Sequence, residues 1–126
     1  MMTEHPQYKF TCRLNGIDAP EMKPLKSKNN RENEILMAKK ARAELLKLIC
    51  PNSEEFDNLD IKKEDIIKEL SKNKQLIKVK CCEFDKYGRL LVELYSIDDN
   101  TESFNKKIIN KHLAVEYDGG KKTHAF

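Results

Sequence analysis

Apolar residues alternate from Tyr8 to Leu14, with Tyr8, Phe10, Cys12 and Leu14 on one face and Lys9, Thr11 and Arg13 on the other. That alternation predicts a strand. Gly16 and Pro20 interrupt regular pairing, so Asp18 to Glu21 should be a strand end turning into a loop. Met22 to Asn30, polar and basic around Pro24, reads as a mobile loop. From Arg31 the period lengthens. Glu34, Ala38, Ala41, Leu45 and Leu48 recur at helical spacing, and Ile35, Leu46 and Ile49 widen the apolar face until Pro51 and Asn52 stop the helix. The basic residues on its other face read as solvated.

Pro51 to Asn73 is an acidic interlude holding a short second helix over about Ile61 to Leu70. Asp60 is its expected N-cap, and Ile66, Ile67 and Leu70 form its apolar stripe. Gln75 to Cys82 predicts a strand leading through Phe84 to the turn Asp85-Lys86-Tyr87-Gly88, with Arg89 to Tyr95 returning. Gly88 suits the hairpin position that needs positive φ. Ser103 can cap a third helix over about Phe104 to Lys111, with Phe104, Ile108 and Ile109 inward. Ala114 to Tyr117 is a last short strand, and Asp118 to Lys122 opens a basic tail. Short strands around one long helix predict an α+β class, a small β-barrel with about three to four attached helices.

Composition narrows the class. The chain has 126 residues, enough for one domain, expected to span 1–126 with the acidic insert at about 51–73. Charged residues make up 36%, and no apolar run approaches the ~20 residues of a membrane span, so no membrane role is expected. The N-terminus lacks a basic start followed by an apolar core, so no secretory signal is expected either. Cys12, Cys50, Cys81 and Cys82 form no CxxC pair, and adjacent Cys81 and Cys82 would face opposite sides of a strand. Small buried thiols in a reducing compartment is the simplest reading, which places the protein inside the cell, cytoplasmic or nuclear. Net charge is +3, with the excess of base outside the acidic insert. That distribution is compatible with a polyanionic substrate without identifying one.

Two segments carry candidate chemistry: Arg13-Leu14-Asn15-Gly16-Ile17-Asp18-Ala19-Pro20-Glu21 and Asp85-Lys86-Tyr87-Gly88-Arg89. Arginine grips phosphate through a planar fork that stays protonated. One carboxylate can hold a hard divalent cation and another can orient or deprotonate a water. Taken singly, each residue has a plainer role. Arg13 would be a surface strand residue, Glu21 a loop acid, and Lys86 a solvated cation. Tyr87 could equally pack at a barrel rim, and Asp85 and Gly88 would be ordinary hairpin residues. His5, His112 and His124 show no spacing for a metal or a base. Only the set argues for phosphodiester chemistry.

That set, in this order and with a helix between its halves, resembles the staphylococcal nuclease (thermonuclease-like) domain over about Tyr8 to Lys122, apart from the acidic insert. The resemblance implies a five-stranded oligonucleotide/oligosaccharide-binding barrel with helices, and a Ca²⁺-dependent endonuclease acting on single-stranded or locally melted DNA, with RNA a second candidate. It implies that Arg13 and Arg89 stabilise the scissile phosphate and that Glu21 activates or orients the water. Asp18 and the backbone carbonyl of Ala19 would ligate Ca²⁺, while Lys86 and Tyr87 contact a neighbouring phosphate or sugar. Asp85 and Asn105 would be structural.

The sequence departs from the family pattern in one respect that matters. An Asp-Gly-Asp-Thr segment that the family carries upstream of the first arginine has no counterpart here. The barrel is therefore expected to be N-terminally incomplete and the metal site weak, short of one carboxylate. A strand-completing partner or self-association is one expected consequence. The alternative to an active nuclease is a catalytically impaired nucleic-acid- or protein-binding module, or a truncated remnant. His112 stands where the family prefers Gly, which predicts a left-handed cap.

Overall fold

A computed structural model of the chain describes residues 11–26, 29–73 and 76–117. Tyr8 to Phe10 of the predicted first strand and the predicted basic tail lie outside them. In chain order the elements are β1 (Cys12–Leu14), β2 (Ile17–Asp18), α1 (Arg31–Ile49), a single 3₁₀ turn (Glu54–Asp57), α2 (Lys63–Asn73), β3 (Ile77–Phe84), β4 (Leu90–Ser96), α3 (Phe104–Asn110) and β5 (Val115–Glu116). The class is α+β. The strands form two sheets, β1-β4-β3 and β2-β5, and no closed barrel joins them among the described residues.

Helix α1 follows Asn30, which sits in the left-handed region (φ 60°) and makes no side-chain cap. Glu32 and Glu34 in the first turn and Lys47 in the last complement the helix dipole. Helix α3 is capped as expected: the Ser103 hydroxyl accepts the Lys106 N–H at 3.0 Å. At its other end His112 takes φ 61°. Its N–H donates to the Ile109 carbonyl, and that of Leu113 donates to Ile108, a Schellman closure in which glycine would be the unstrained residue.

The strand β4 is central, parallel to β1 (Cys12 opposite Leu90, Arg13 opposite Leu91, Leu14 opposite Val92) and antiparallel to β3. Its alternation sends Val92 and Leu94 inward, against Phe104, Leu14, Leu45, Leu48 and Ile49. At Gly16 (φ 78°) the chain leaves this sheet, and Ile17 and Asp18 pair with Glu116 and Val115. Asn105 holds that junction together. Its amide donates to the carbonyls of Asn15 and Val92, at 2.9 and 3.0 Å, and its carbonyl accepts the Leu94 N–H at 3.2 Å. Asn105, expected to be structural, binds β1, β4 and α3 to one another.

The strand β3 lies at a sheet edge, and little covers it. Val79 and Phe84 are 49% and 65% exposed, although they pair with Leu94 and Leu90. The expectation of buried thiols fails for the same reason: Cys81 and Cys82 on β3, and Cys12 on β1, are exposed, and only Cys50 is buried. Burial pushes the Cys50 thiol pKa up.

The acidic insert has an apolar cluster of its own on the C-terminal half of α1. Phe56 and Ile61 pack with Leu46 and Cys50, joined by Ile49, Ile66 and Leu70. Ile67, predicted to face inward, is exposed. The Asp60 carboxylate does not cap α2, which begins later at Lys63; it pairs with Lys39 at 2.6 Å. Lys47 pairs with Asp57 at 2.7 Å, and Arg42 donates to the carbonyls of Leu59 and Ile61. These basic residues of α1, read from sequence as solvated, hold the insert.

Candidate active site

The two chemical segments meet on one sheet. Arg13 lies opposite Leu91, and the Leu90 N–H bonds the Thr11 carbonyl at 3.0 Å, so Arg89 falls beside Thr11. Side chains two positions apart share a face, which puts Arg13 and Arg89 on the same side of the β1–β4 pair. Strand dimensions place their Cα atoms on the order of 8 Å apart. Long side chains from such positions can converge on one phosphate.

Each arginine is held differently. The Nε of Arg89 donates to Asp85 at 2.7 Å, and its guanidinium lies 5.5 Å from the Tyr87 ring centre. The other oxygen of Asp85 accepts the N–H groups of Tyr87 and Arg89, both at 2.9 Å. Partial burial disfavours the charge on Asp85, but these N–H bonds and the adjacent guanidinium outweigh it and hold the carboxyl below its ordinary range. A guanidinium has five N–H donors and Asp85 occupies the Nε one, so the terminal nitrogens can still address an anion. Lys86 and Tyr87 at the tip are exposed, with the ammonium 5.3 Å from the ring centre.

Arg13 is gathered from further away. Its Nη2 lies 3.7 Å from the Asp18 carboxylate, an ion pair too long for a good hydrogen bond, and its guanidinium lies 5.3 Å from the Tyr117 ring centre. Asp18 is 8% exposed at the end of β2, and exposed Ala19 follows it. Glu21 is exposed at the head of the next loop. That loop, expected to be mobile, is tied to α1 over its first half. The buried Glu34 carboxylate accepts the Glu21 N–H at 3.3 Å, and the Arg31 Nε donates to the Pro24 carbonyl at 3.3 Å. Tyr117, Glu34 and Arg31 are contacts that sequence reasoning did not single out. Glu34 left a trace, as an acid standing on the apolar stripe of α1.

Calcium takes six to eight oxygen ligands. Asp18 brings hard oxygen chemistry of the right kind, as would the Ala19 carbonyl. Among the described residues, however, no three His, Cys, Asp or Glu side chains are grouped so as to hold a metal. The donor type fits the ion, but among the described residues two further such side chains do not join Asp18.

The two arginine-bearing segments, with a buried carboxylate beside the first, are carried by an α+β fold. The profile of the staphylococcal nuclease homologue family matches residues 11–125, and the chain belongs to that family. No curated protein and no solved structure matches it. Among the described residues no helix is long and apolar enough to cross a membrane.

Proposed function

We propose that this protein is a Ca²⁺-dependent nuclease hydrolysing phosphodiester bonds of single-stranded or locally melted DNA, with RNA a second substrate. The observation that carries the reading is the placement of Arg13 and Arg89 on one sheet face, with Asp18 beside the first of them. Arg13 and Arg89 bind the non-bridging oxygens of the scissile phosphate and stabilise the charge that grows there during attack. Glu21 orients a water and takes its proton as the water oxygen bonds phosphorus. The P–O5′ bond breaks, and the 5′ oxygen leaves with a proton from solvent, which yields a 3′-phosphate end.

Lys86 and Tyr87 contact the neighbouring phosphate or sugar. Asp18 and the Ala19 carbonyl would hold calcium, which supplies Lewis-acid polarisation of a phosphoryl oxygen when bound. The two sheets are read as parts of an oligonucleotide/oligosaccharide-binding barrel, the acidic segment 51–73 as an insert in a single domain, and the cysteines, which form no disulfide among the described residues, as those of an intracellular protein.

The test is hydrolysis of single-stranded DNA with and without calcium, in wild type and Glu21→Ala. Wild type should cleave only with calcium and leave 3′-phosphates, and Glu21→Ala should cut turnover by about 10²-fold or more. Equal cleavage by the two proteins would remove Glu21 from the reaction. The second reading, a module that binds nucleic acid without cutting it, is favoured by the short donor set around Asp18. Retained DNA binding with no cleavage at any calcium concentration would establish it.

A further inference from the structure

We infer that Glu34 is a positioning residue for Glu21, and that the first turn of α1 is a clamp which sets where the water-activating carboxylate stands. The inference rests on the proposed role of Glu21. Glu21 is exposed, on a loop, with Ala19 exposed before it and Met22 exposed after it. A side chain placed that way has no packing of its own to fix its direction. Catalysis by an oriented water nevertheless depends on placement to within about 1 Å.

The backbone supplies what the side chain lacks. The Glu34 carboxylate, 1% exposed, accepts the Glu21 N–H at 3.3 Å. One helical turn earlier on the same face, the Arg31 Nε donates to the Pro24 carbonyl at 3.3 Å. Pro20 and Pro24 are themselves buried, so the four residues around Glu21 are anchored at each end and in the backbone of Glu21 itself.

Burying a carboxylate is costly unless its oxygens are bonded. An alanine or leucine at position 34 would continue the stripe of Ala38, Ala41 and Leu45 at no such cost. The bond from the Glu21 N–H is one of the interactions that hold a carboxylate there. A bond between a charged acceptor and a backbone N–H is short-range and directional, so it transmits the position of a rigid helix to the catalytic residue.

The test compares Glu34→Gln, which keeps a side-chain oxygen to accept the Glu21 N–H, with Glu34→Leu, which keeps the volume and removes the acceptor. Arg31→Ala is the third variant, since its half-exposed side chain can be lost without opening the core. Glu34→Leu should speed hydrogen exchange at the Glu21 amide and lower kcat about tenfold or more with KM nearly unchanged, while Glu34→Gln restores both. Arg31→Ala should give a smaller shift in the same direction. Unchanged exchange at Glu21 in both Glu34→Leu and Arg31→Ala would overturn the clamp. So would unchanged kcat in those variants alongside a large loss in Glu21→Ala. If Glu21→Ala itself loses nothing, it is the role of Glu21 that fails, and the inference with it; the exchange rates still report whether the contact exists.

Discussion

The hairpin at Asp85 to Arg89 and the segment from Arg13 to Glu21 each carry one of the two candidate arginines and are built in opposite ways. In the hairpin the side-chain contacts of Arg89 among the described residues are made within five residues, to Asp85 and Tyr87, and Gly88 at φ 80° closes the turn. The other segment has a local contact in the 3.7 Å pair of Arg13 with Asp18, and otherwise depends on distant residues. Arg13 leans on Tyr117, Asn15 on Asn105, and Glu21 on Glu34. One half of the site is a self-contained unit and the other is assembled by the whole fold. The first should therefore be robust to damage elsewhere and the second sensitive to it.

The largest effect that separates the two comes from Asn105. Asn105→Ala removes the side-chain partner of the Leu94 N–H and of the Asn15 carbonyl, while the Val92 carbonyl keeps the Asn15 N–H, and one such buried loss costs about 1–3 kcal/mol. The expected result is a loss of about 3 kcal/mol in urea denaturation at unchanged m-value, with activity falling even where the protein stays folded. Arg89→Ala should change stability far less, because the Asp85 carboxylate it leaves still accepts the N–H groups of residues 87 and 89. If the two variants were equally stable, the contrast between a local and an assembled half would fail.

A smaller effect sharpens the hairpin side. The folded Asp85 carboxyl has a lowered pKa, so its contribution is complete above the unfolded value near 3.8 and is lost as pH falls through the folded value. Asp85→Asn keeps an oxygen for the two N–H groups and removes the charge facing Arg89. Wild type should exceed Asp85→Asn in stability at neutral pH, and the two curves should converge only below about pH 4. Curves that run parallel from neutral pH to acid would show that the charge on Asp85 contributes nothing to the turn.

The same division explains what could be read from the chain. Periodicity located α1 and α3, and Ser103 and Gly88 announced their cap and turn, because each signal acts on its immediate neighbours. The hairpin chemistry was legible for that reason. The insert was visible as acid-rich, but its attachment was not. Whether Lys39, Arg42 and Lys47 face water or Asp60, Leu59 and Asp57 depends on where a chain segment 21, 17 and 10 residues further on returns. Exposure of Cys12, Cys81 and Cys82 was equally hidden, since an alternating strand looks the same at a sheet edge as in the middle. Glu34 reads in the sequence as part of a helical stripe, and only the packed loop shows its bond to the Glu21 N–H.

The central claim is that Arg13 and Arg89 grip one phosphate. It is tested most directly by single-turnover cleavage of single-stranded DNA by Arg13→Ala, Arg89→Ala and the double variant, with folding of each verified. Each single change should lower the rate by about 10²-fold or more, and the double variant should be far less impaired than the product of the two losses, because both arginines act on the same transition state. Losses that multiply in full, or a single variant that cuts as fast as wild type, would contradict the shared grip.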